Sequence, residues 1–269
     1  MKSIQKRLIA FFFYNVIALI AMIAFIRPAS AFSLWADYGI GGISGFQQIP
    51  RGGQPGSSSP NRPTFSELGV KNPGLLEAGA SGGFLLFRLD AIYQRLFLNG
   101  SATLSQSLVT HGIPFEAGTH VKTNSYYALT HLIASVTALH GQKFSLRPGV
   151  GLELMNFNYK ISSDTQSTSR GFSHLAPELK VNFDYNLSAY LQWRSAVHVT
   201  VPGLTRLDNY EANTGIAYFP VTKSFPGIQP AIYIKTGYLY LNFKDKQTMP
   251  NHMRITYAPF VAGGLALYF

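Results

Sequence analysis

The stretch Phe172–Tyr185, with the sequence FSHLAPELKVNFDY, decides the fold, because its side chains alternate in character with a period of two. One face reads His174, Ala176, Glu178, Lys180, Asn182 and Asp184, and the other reads Leu175, Pro177, Leu179, Val181, Phe183 and Tyr185. Such alternation is typical of a β-strand whose two faces meet different surroundings. The stretch is therefore predicted to be a long strand with one charged face.

A second strand of the same kind follows over Tyr190–Val201, after the short link Asn186-Leu187-Ser188. The link predicts a tight hairpin. The polar face carries Gln192, Arg194, His198 and Thr200, and the apolar face carries Leu191, Trp193, Val197 and Val199. In a soluble sandwich the apolar face would fill a core, whereas in a membrane barrel it would meet lipid and the charged face would line the lumen. Alternation alone leaves both folds open.

The N-terminus favours export. Residues 1–31 are predicted to be a cleavable signal peptide, with a basic start, an apolar run from Leu8 to Ile26 and the small residues Ala29-Ser30-Ala31 at the cleavage site. The apolar run approaches the length of a membrane-spanning helix, so an uncleaved anchor is the alternative. The Arg27-Pro28 break favours cleavage. Residues 32–269 are then expected to form one domain.

The composition fits a barrel better than a soluble domain. Charged residues make up 13% of the chain, about half the usual share, and aromatic residues make up 14%. The absence of cysteine excludes a disulfide framework. Four of the 22 Lys and Arg lie in the leader. The rest of the chain therefore contains 18 Lys and Arg and 12 Asp and Glu, which gives a net charge of +6. Without a basic cluster or a nucleic-acid motif, nucleic acid is not an expected partner.

Extending the alternation along the chain predicts ten antiparallel strands in an all-β, up-and-down transmembrane barrel. They cover Ser33–Phe46, Leu75–Ser81, Phe84–Leu98, Thr123–Thr137, Lys143–Ile161, Phe172–Tyr185, Ser188–Val201, Tyr210–Val221, Pro230–Asn242 and Arg254–Phe269. The hairpin at Gly82-Gly83 is the least marked of the connections, and merging its strands would leave eight strands plus an N-terminal segment of other use. An even number places both termini on the periplasmic side.

The connections are predicted to alternate in length. Those after odd-numbered strands are long: Gln47–Gly74, Asn99–Lys122, Ser162–Gly171, Pro202–Asn209 and Phe243–Met253. Those after even-numbered strands are shorter: Gly82-Gly83, Ala138–Gln142, Asn186-Leu187 and Thr222–Gln229. Long outer loops and short periplasmic turns are typical of outer-membrane barrels. Within the first loop, Thr64 and Glu67 are spaced as a capping box for one helical turn.

The last strand ends the chain on an aromatic residue. Val261, Gly263, Leu265, Leu267 and Phe269 share one face of it. This pattern resembles the C-terminal signal of bacterial outer-membrane proteins, and the whole predicted domain resembles the small OmpA/OmpW-type barrels. The resemblance implies insertion in a Gram-negative outer membrane by the barrel-assembly machinery, with Val261, Leu265, Leu267 and Phe269 as the assembly signal. It brings no functional residues with it.

The polar face of the strands defines a set of lumen residues. They are Arg88, Asp90, Arg147, Glu153, His174, Glu178, Lys180, Arg194, His198, Glu211 and Lys235. A barrel of eight to ten strands leaves an interior that side chains about fill. Buried charges need partners, and this set contains five Lys and Arg and four Asp and Glu. We therefore expect an interior ion network. A pore or a site for a small polar solute is the alternative.

No catalytic constellation, cofactor or metal site is predicted. Ser173 and His174 are adjacent and so point to opposite faces of a strand, which excludes a dyad. The loop residues His111, Glu116 and His120 match no standard metal-ligand spacing. The paired aspartates and Asp-His pair of the omptin-type proteases have no counterpart in the sequence.

Three functions remain, in order of preference. The first is a structural or surface-interacting outer-membrane barrel, the second is a narrow porin-like channel for small solutes, and the third is a membrane-embedded enzyme. Outer-membrane lipids are the expected partners, and basic residues in or beside the loops either pair with lipopolysaccharide phosphates or form an ordinary hydrated rim. These residues are Arg51, Arg62, Lys71, Lys122, Lys160, Arg170, Arg206, Lys244, Lys246 and Arg254.

Overall fold

The computed structural model describes residues 32–48, 62–220, 227–245 and 251–269. The predicted leader, residues 1–31, lies outside these ranges. Ten long antiparallel strands make up the barrel. They are β1 (Phe32–Gln48), β2 (Gly74–Phe84), β3 (Phe87–Thr103), β4 (His120–Val136), β5 (Phe144–Ser162), β6 (Ser167–Asn186), β7 (Leu191–Thr200), β8 (Leu207–Tyr218), β9 (Gln229–Lys244) and β10 (His252–Tyr268).

The barrel closes between its first and last strands. Each strand pairs with its neighbour in the sequence, and β1 pairs with β10 from Ser33 opposite Tyr268 to Gln48 opposite His252. Closure removes both sheet edges, so every strand has a hydrogen-bonded neighbour on each side. The prediction of ten strands in an up-and-down barrel is confirmed.

The strands reach further than predicted, and the connections differ accordingly. The predicted loop Ser162–Gly171 is reduced to residues 163–166, because β5 and β6 remain paired as far as Ser162 and Ser167. The hairpin between β2 and β3 turns at residues 85–86 rather than at Gly82-Gly83, which lie in β2. The connection over residues 219–228 is longer than three of the loops at the opposite end. The predicted alternation of loop lengths is therefore wrong in part.

The outer surface carries an apolar belt. Its exposed members are Leu34, Tyr38, Ile40, Val150, Leu152, Leu175, Leu179, Val181, Trp193, Val197, Ile216, Ile232, Ile234, Val261, Leu265 and Leu267. Beyond the belt the outward positions of β5 and β6 become polar, with Asn156, Asn158, Ser169 and Ser173. An apolar belt around a closed barrel with charges inside is the arrangement of a transmembrane barrel. Among the described residues, no helix has the length and hydropathy needed to span a bilayer.

The two ends of the barrel differ. At the terminal end, β1 begins and β10 ends; at the loop end, residues 62–73 and 104–119 fold over the mouth. A contiguous apolar cluster, the loop-end core, fills the lumen there. Its largest fully buried members are Phe65, Leu68, Leu75, Leu96, Leu98, Phe115, Tyr127, Leu129, Phe157, Tyr159, Tyr257 and Phe260.

Both loops contribute side chains to the loop-end core. Residues 62–73 supply Phe65, Leu68 and Val70, and residues 104–119 supply Leu104, Leu108 and Phe115 around a short hairpin (Leu108–Thr110 paired with Ile113–Phe115). The Tyr257 hydroxyl donates a hydrogen bond to the Pro73 carbonyl at 2.9 Å. The loops are thus packed on the mouth of the barrel rather than extended into solvent.

The predicted capping box forms in the first loop. The Thr64 amide donates to Glu67 Oε2 at 2.7 Å, and the Glu67 amide donates to Thr64 Oγ1 at 3.2 Å. The turn ends at Gly69, whose φ of +71° favours glycine. This single turn directs Phe65 and Leu68 into the mouth.

Candidate functional site in the barrel interior

Below the loop-end core, toward the terminal end, the lumen is charged in two layers. We call them the terminal layer (Arg88, Asp90, Arg147, Lys180, Asp184 and Arg194) and the central layer (Asp37, Glu77, His131, Glu153, Glu178, His198, Glu211 and Lys235). A cavity of about 120 Å³ lies between them, with Glu77, Lys180, His198 and Lys235 in its wall. A second cavity of about 230 Å³ lies at the terminal end, against Arg88, Arg147 and Arg194.

Two aspartates organise the terminal layer. Asp90 accepts a hydrogen bond from Arg88 Nε and, across the lumen, one from Lys180 Nζ, each at 3.0 Å. Asp184 pairs with Arg147 and accepts from Arg194 Nε at 3.2 Å. With four cations around two carboxylates, this layer carries a formal excess of positive charge facing the terminal end.

The central layer holds one fully compensated lysine. Lys235 Nζ lies 2.9 Å from Asp37 Oδ2 and 2.8 Å from Glu77 Oε1. The Tyr233 hydroxyl donates to Asp37 at 2.7 Å, and the Trp35 indole N–H donates to Glu77 at 3.3 Å.

The Trp35 indole lies against the backbone of Gly79. A Cβ at Gly79 would come within 2.2 Å of this ring, so only glycine allows the approach. The glycine therefore fixes the position from which the indole reaches Glu77.

An amide links the lysine group to a further carboxylate. Gln94 Nε2 donates to Glu77 Oε2 and to Glu211 Oε2, both at 2.8 Å. Glu211 accepts a second hydrogen bond, from Asn213 at 3.0 Å. This bridge joins β2, β3 and β8 across the lumen.

Two histidines and two glutamates complete the central layer. His131 Nδ1 lies 2.8 Å from Glu178 Oε2 and 3.8 Å from Glu153 Oε2, and His198 Nδ1 lies 3.8 Å from Glu178 Oε2. Asn209 donates to Glu153 Oε2 at 2.8 Å. All five side chains are buried, and the two imidazole rings meet edge to face at 5.3 Å. Imidazole nitrogens and carboxylate oxygens are the donors that divalent transition metals bind.

The structure places ten of the eleven predicted lumen residues in these two layers: Arg88, Asp90, Arg147, Glu153, Glu178, Lys180, Arg194, His198, Glu211 and Lys235. His174 lies apart from them at the loop end, with Nε2 2.6 Å from Thr205 Oγ1 and its ring 5.5 Å from Phe243.

Four charged or titratable residues of the lumen were not in the predicted set of lumen residues: Asp37, Glu77, His131 and Asp184. Asp184 lies on the charged face of the opening stretch, so the alternation used there already contains it. Asp37 and Glu77 are the only charged residues of β1 and β2, and His131 lies on β4, whose one lysine, Lys122, is on the outward face. Their inclusion changes the balance, since the two layers hold five Lys and Arg against seven Asp and Glu among the described residues. The predicted near-balance is wrong because it omitted three of the seven carboxylates.

The loop residues considered for a metal are dispersed. His111 Nδ1 lies 3.1 Å from Thr168 Oγ1, Glu116 accepts from Ser107 at 3.1 Å, and His120 Nε2 lies 2.9 Å from Ser101 Oγ. Each therefore has its own local hydrogen-bond partner rather than a shared centre.

The last strand presents the four predicted signal residues to the exterior. Val261, Leu265 and Leu267 are exposed on the outward face of β10, and Phe269, exposed as well, directly follows the strand. The Phe269 amide donates to the Phe32 carbonyl at 2.8 Å, and the two rings lie 5.6 Å apart. The terminal aromatic thus lies at the seam where β1 and β10 close the barrel.

Comparisons with solved structures find other barrels at low identity. The outer-membrane protease OmpT from Escherichia coli is 9% identical with a TM-score of 0.47, covering 88% of this chain and 97% of that one. Neisserial surface protein A is 13% identical with a TM-score of 0.37, covering 90% and 100%. The attachment invasion locus protein Ail of Yersinia pestis is 12% identical with a TM-score of 0.39, covering 90% and 100%. Neither a protein-family model nor a curated protein sequence matches the chain.

Proposed function

We propose that the chain is a closed barrel of the bacterial outer membrane, with its loop end outside the cell and a structural or surface-interacting role. The loop-end core carries this proposal. Phe65, Leu68 and Phe115 from the two loops are fully buried against strand residues, so the mouth is filled by apolar side chains. A hydrated path for ions would have to displace that core, which is costly because protein interiors are closely packed.

The terminal half supports a channel less well. Its cavities are lined by charged groups, as a solute path would be, but they lie on one side of the loop-end core. A blind cavity suits a binding site or a solvated ion network better than transport. The narrow channel remains the second candidate because charged groups line both cavities.

Conductance in planar bilayers tests the proposal. The purified protein, shown to be folded by its heat-modifiable migration in gels, is expected to give no stepwise currents under conditions in which a general porin conducts. A matched variant, Phe65→Ala with Leu68→Ala and Phe115→Ala, removes side chains only from the loops. Currents in the variant alone would locate the barrier in the loops and support a closed native barrel. Regular steps from the native protein would overturn the proposal in favour of the channel.

Basic side chains above the belt suggest what the loop end contacts. Lys122, Lys160, Lys244 and Arg254 occupy outward positions at the loop ends of β4, β5, β9 and β10, and all four are exposed. This level corresponds to the headgroups, where Lys and Arg pair with phosphates. We therefore propose lipopolysaccharide as the surrounding lipid. Replacing all four by glutamine is expected to reduce the thermal stabilisation that added lipopolysaccharide provides, and an unchanged stabilisation would contradict it.

A further inference from the structure

We propose that the central layer is a binding site for one zinc ion, held by His131, Glu178 and His198, with Glu153 beside them. The inference goes beyond the proposed function, because a closed barrel needs no metal and a conducting one could also hold it. The geometry of these three side chains carries the proposal first. Their candidate ligand atoms all lie within 4.8 Å of one another.

The separations suit a small tetrahedral ion. With metal–ligand bonds of 2.0–2.1 Å, two ligands of tetrahedral zinc lie about 3.4 Å apart. The Nδ1 atoms of His131 and His198 lie 2.8 Å and 3.8 Å from the same Glu178 oxygen. Shifts of roughly half an ångström would bring both pairs to the zinc value. The three residues come from β4, β6 and β7, so closure of the barrel creates the site.

Unpartnered buried atoms point to a ligand at this place. His198 Nδ1 and one oxygen each of Glu178 and Glu153 have no hydrogen-bond partner among the described residues. His198 is 3% exposed, Glu178 1% and Glu153 0%. The 3.8 Å between His198 Nδ1 and Glu178 is too long for a hydrogen bond. Buried polar atoms in native proteins are nearly always satisfied, so unsatisfied ones on neighbouring residues of one cluster call for an explanation.

The charge distribution calls for a cation at the same centre. The central layer contains five carboxylates, and its single lysine, Lys235, is bound by two of them. Lys180, which comes nearest from the terminal layer, is paired with Asp90. Glu153, Glu178 and Glu211 are thus left with neutral amides and two imidazoles. Isolated buried carboxylates are strongly unfavourable unless paired or bound to a metal, and a divalent ion would compensate two of them.

The surroundings support zinc in particular. Two imidazoles and a carboxylate form a common zinc donor set, and the amide of Asn209 holds Glu153 as an outer partner would. His198 also lines the cavity of about 120 Å³ on the side of the terminal end. The cluster therefore borders a cavity whose lining includes no member of the loop-end core.

Metal titration of the folded barrel tests the site. Chelator-treated protein in detergent is titrated with Zn²⁺ by calorimetry and with Co²⁺ by visible absorption, since Co²⁺ in such a site gives bands that Zn²⁺ abolishes by displacement. We expect one equivalent of either metal to bind. X-ray absorption at the zinc edge should then show back-scattering from two imidazoles. A native protein that takes up no metal, or whose zinc lacks imidazole ligands, would overturn the proposal without any variant.

Matched variants locate the site. Glu178→Gln is expected to weaken Zn²⁺ binding at least about tenfold, the loss typical even of an outer-shell partner, and His131→Gln with His198→Gln should abolish it. His174→Gln, which changes a lumen-facing histidine outside the cluster, should leave it unchanged. Each variant is first checked for heat-modifiable migration. Equal binding by the native protein and the folded double variant would mean that the cluster is an ion pair only. Conductance is measured separately, so failure of this proposal and failure of the closed-barrel proposal are distinguishable.

Discussion

The loop-end half and the terminal half of the lumen are built by the same ten strands yet stabilised by different forces. The loop-end half is a contiguous apolar core with tyrosines and phenylalanines at its centre. The terminal half contains cations and carboxylates in two layers. The difference teaches that a barrel interior of this width can be filled in either way, provided that each buried charge finds a partner.

The largest expected effect is the loss of the lysine in the central layer. Lys235→Met leaves Asp37 and Glu77 buried without their cation, and breaking a buried pair in this way costs about 3–5 kcal/mol. Chemical denaturation of the protein refolded in lipid vesicles would measure the free energy of unfolding. Lys244→Met, at the exposed end of β9, is the matched control and should change it little.

A compensated variant sharpens this comparison. Adding Asp37→Asn and Glu77→Gln to Lys235→Met removes all three charges together. Most of the lost stability should return, because replacing a complete ion group is often neutral. If the triple variant is no more stable than Lys235→Met, the ionic description of the terminal half is wrong.

The loop-end half should respond through packing alone. Leu98 is fully buried in the loop-end core, and Leu98→Ala is expected to cost about 2–5 kcal/mol, the range for buried leucines. Leu204→Ala, in an exposed connection, is the control. The loss should be the same at low and high salt, because no charge is involved. A marked salt dependence would contradict the distinction between the two halves.

The sequence could predict the facing of the residues but not the division of the lumen into two halves. Period two identifies Glu178, Lys180 and His198 as residues of one face, and the same alternation gives the strand count. Closure into a barrel is predicted only with the leader, the loop lengths and the C-terminal strand as further evidence. The level of each residue along the barrel depends on the tilt and stagger of the strands. His131 and Glu178 belong to β4 and β6, which are not neighbouring strands. A pattern within one strand therefore cannot predict their contact.

The capping box gives a smaller effect, confined to the loop end. Thr64→Ala removes the acceptor of the Glu67 amide, and loss of such a cap costs about 1 kcal/mol. Because the turn carries Phe65 and Leu68 into the core, amide hydrogen exchange should rise over residues 64–70. Ser66→Ala changes an exposed side chain of the same turn and should leave exchange unaltered. Equal exchange in both variants would show that packing alone holds the loop.

The smallest effect concerns acid at the rim of the loop end. His252 begins β10 above the apolar belt, and its Nε2 lies 3.0 Å from Asn242 Oδ1. Burial, followed by the charges of Arg62, Lys244 and Arg254, lowers the pKa of His252. As the pH falls through the ordinary histidine value of about 6.5, the unfolded chain takes up a proton before the folded one does. Local stability should therefore fall on acidification, not rise.

Hydrogen exchange across the junction of β9 and β10 at pH 8 and at pH 5, corrected for intrinsic rates, would measure this loss. His252→Gln should abolish the pH dependence there, because glutamine keeps a hydrogen-bond donor but does not titrate. His140→Gln, at the terminal end, should leave it in place. Loosening at pH 5 that persists in His252→Gln would assign the acid response to another group. The terminal half would then be the first place to look, since its carboxylates Asp37, Asp90 and Asp184 are titratable groups held in ion pairs.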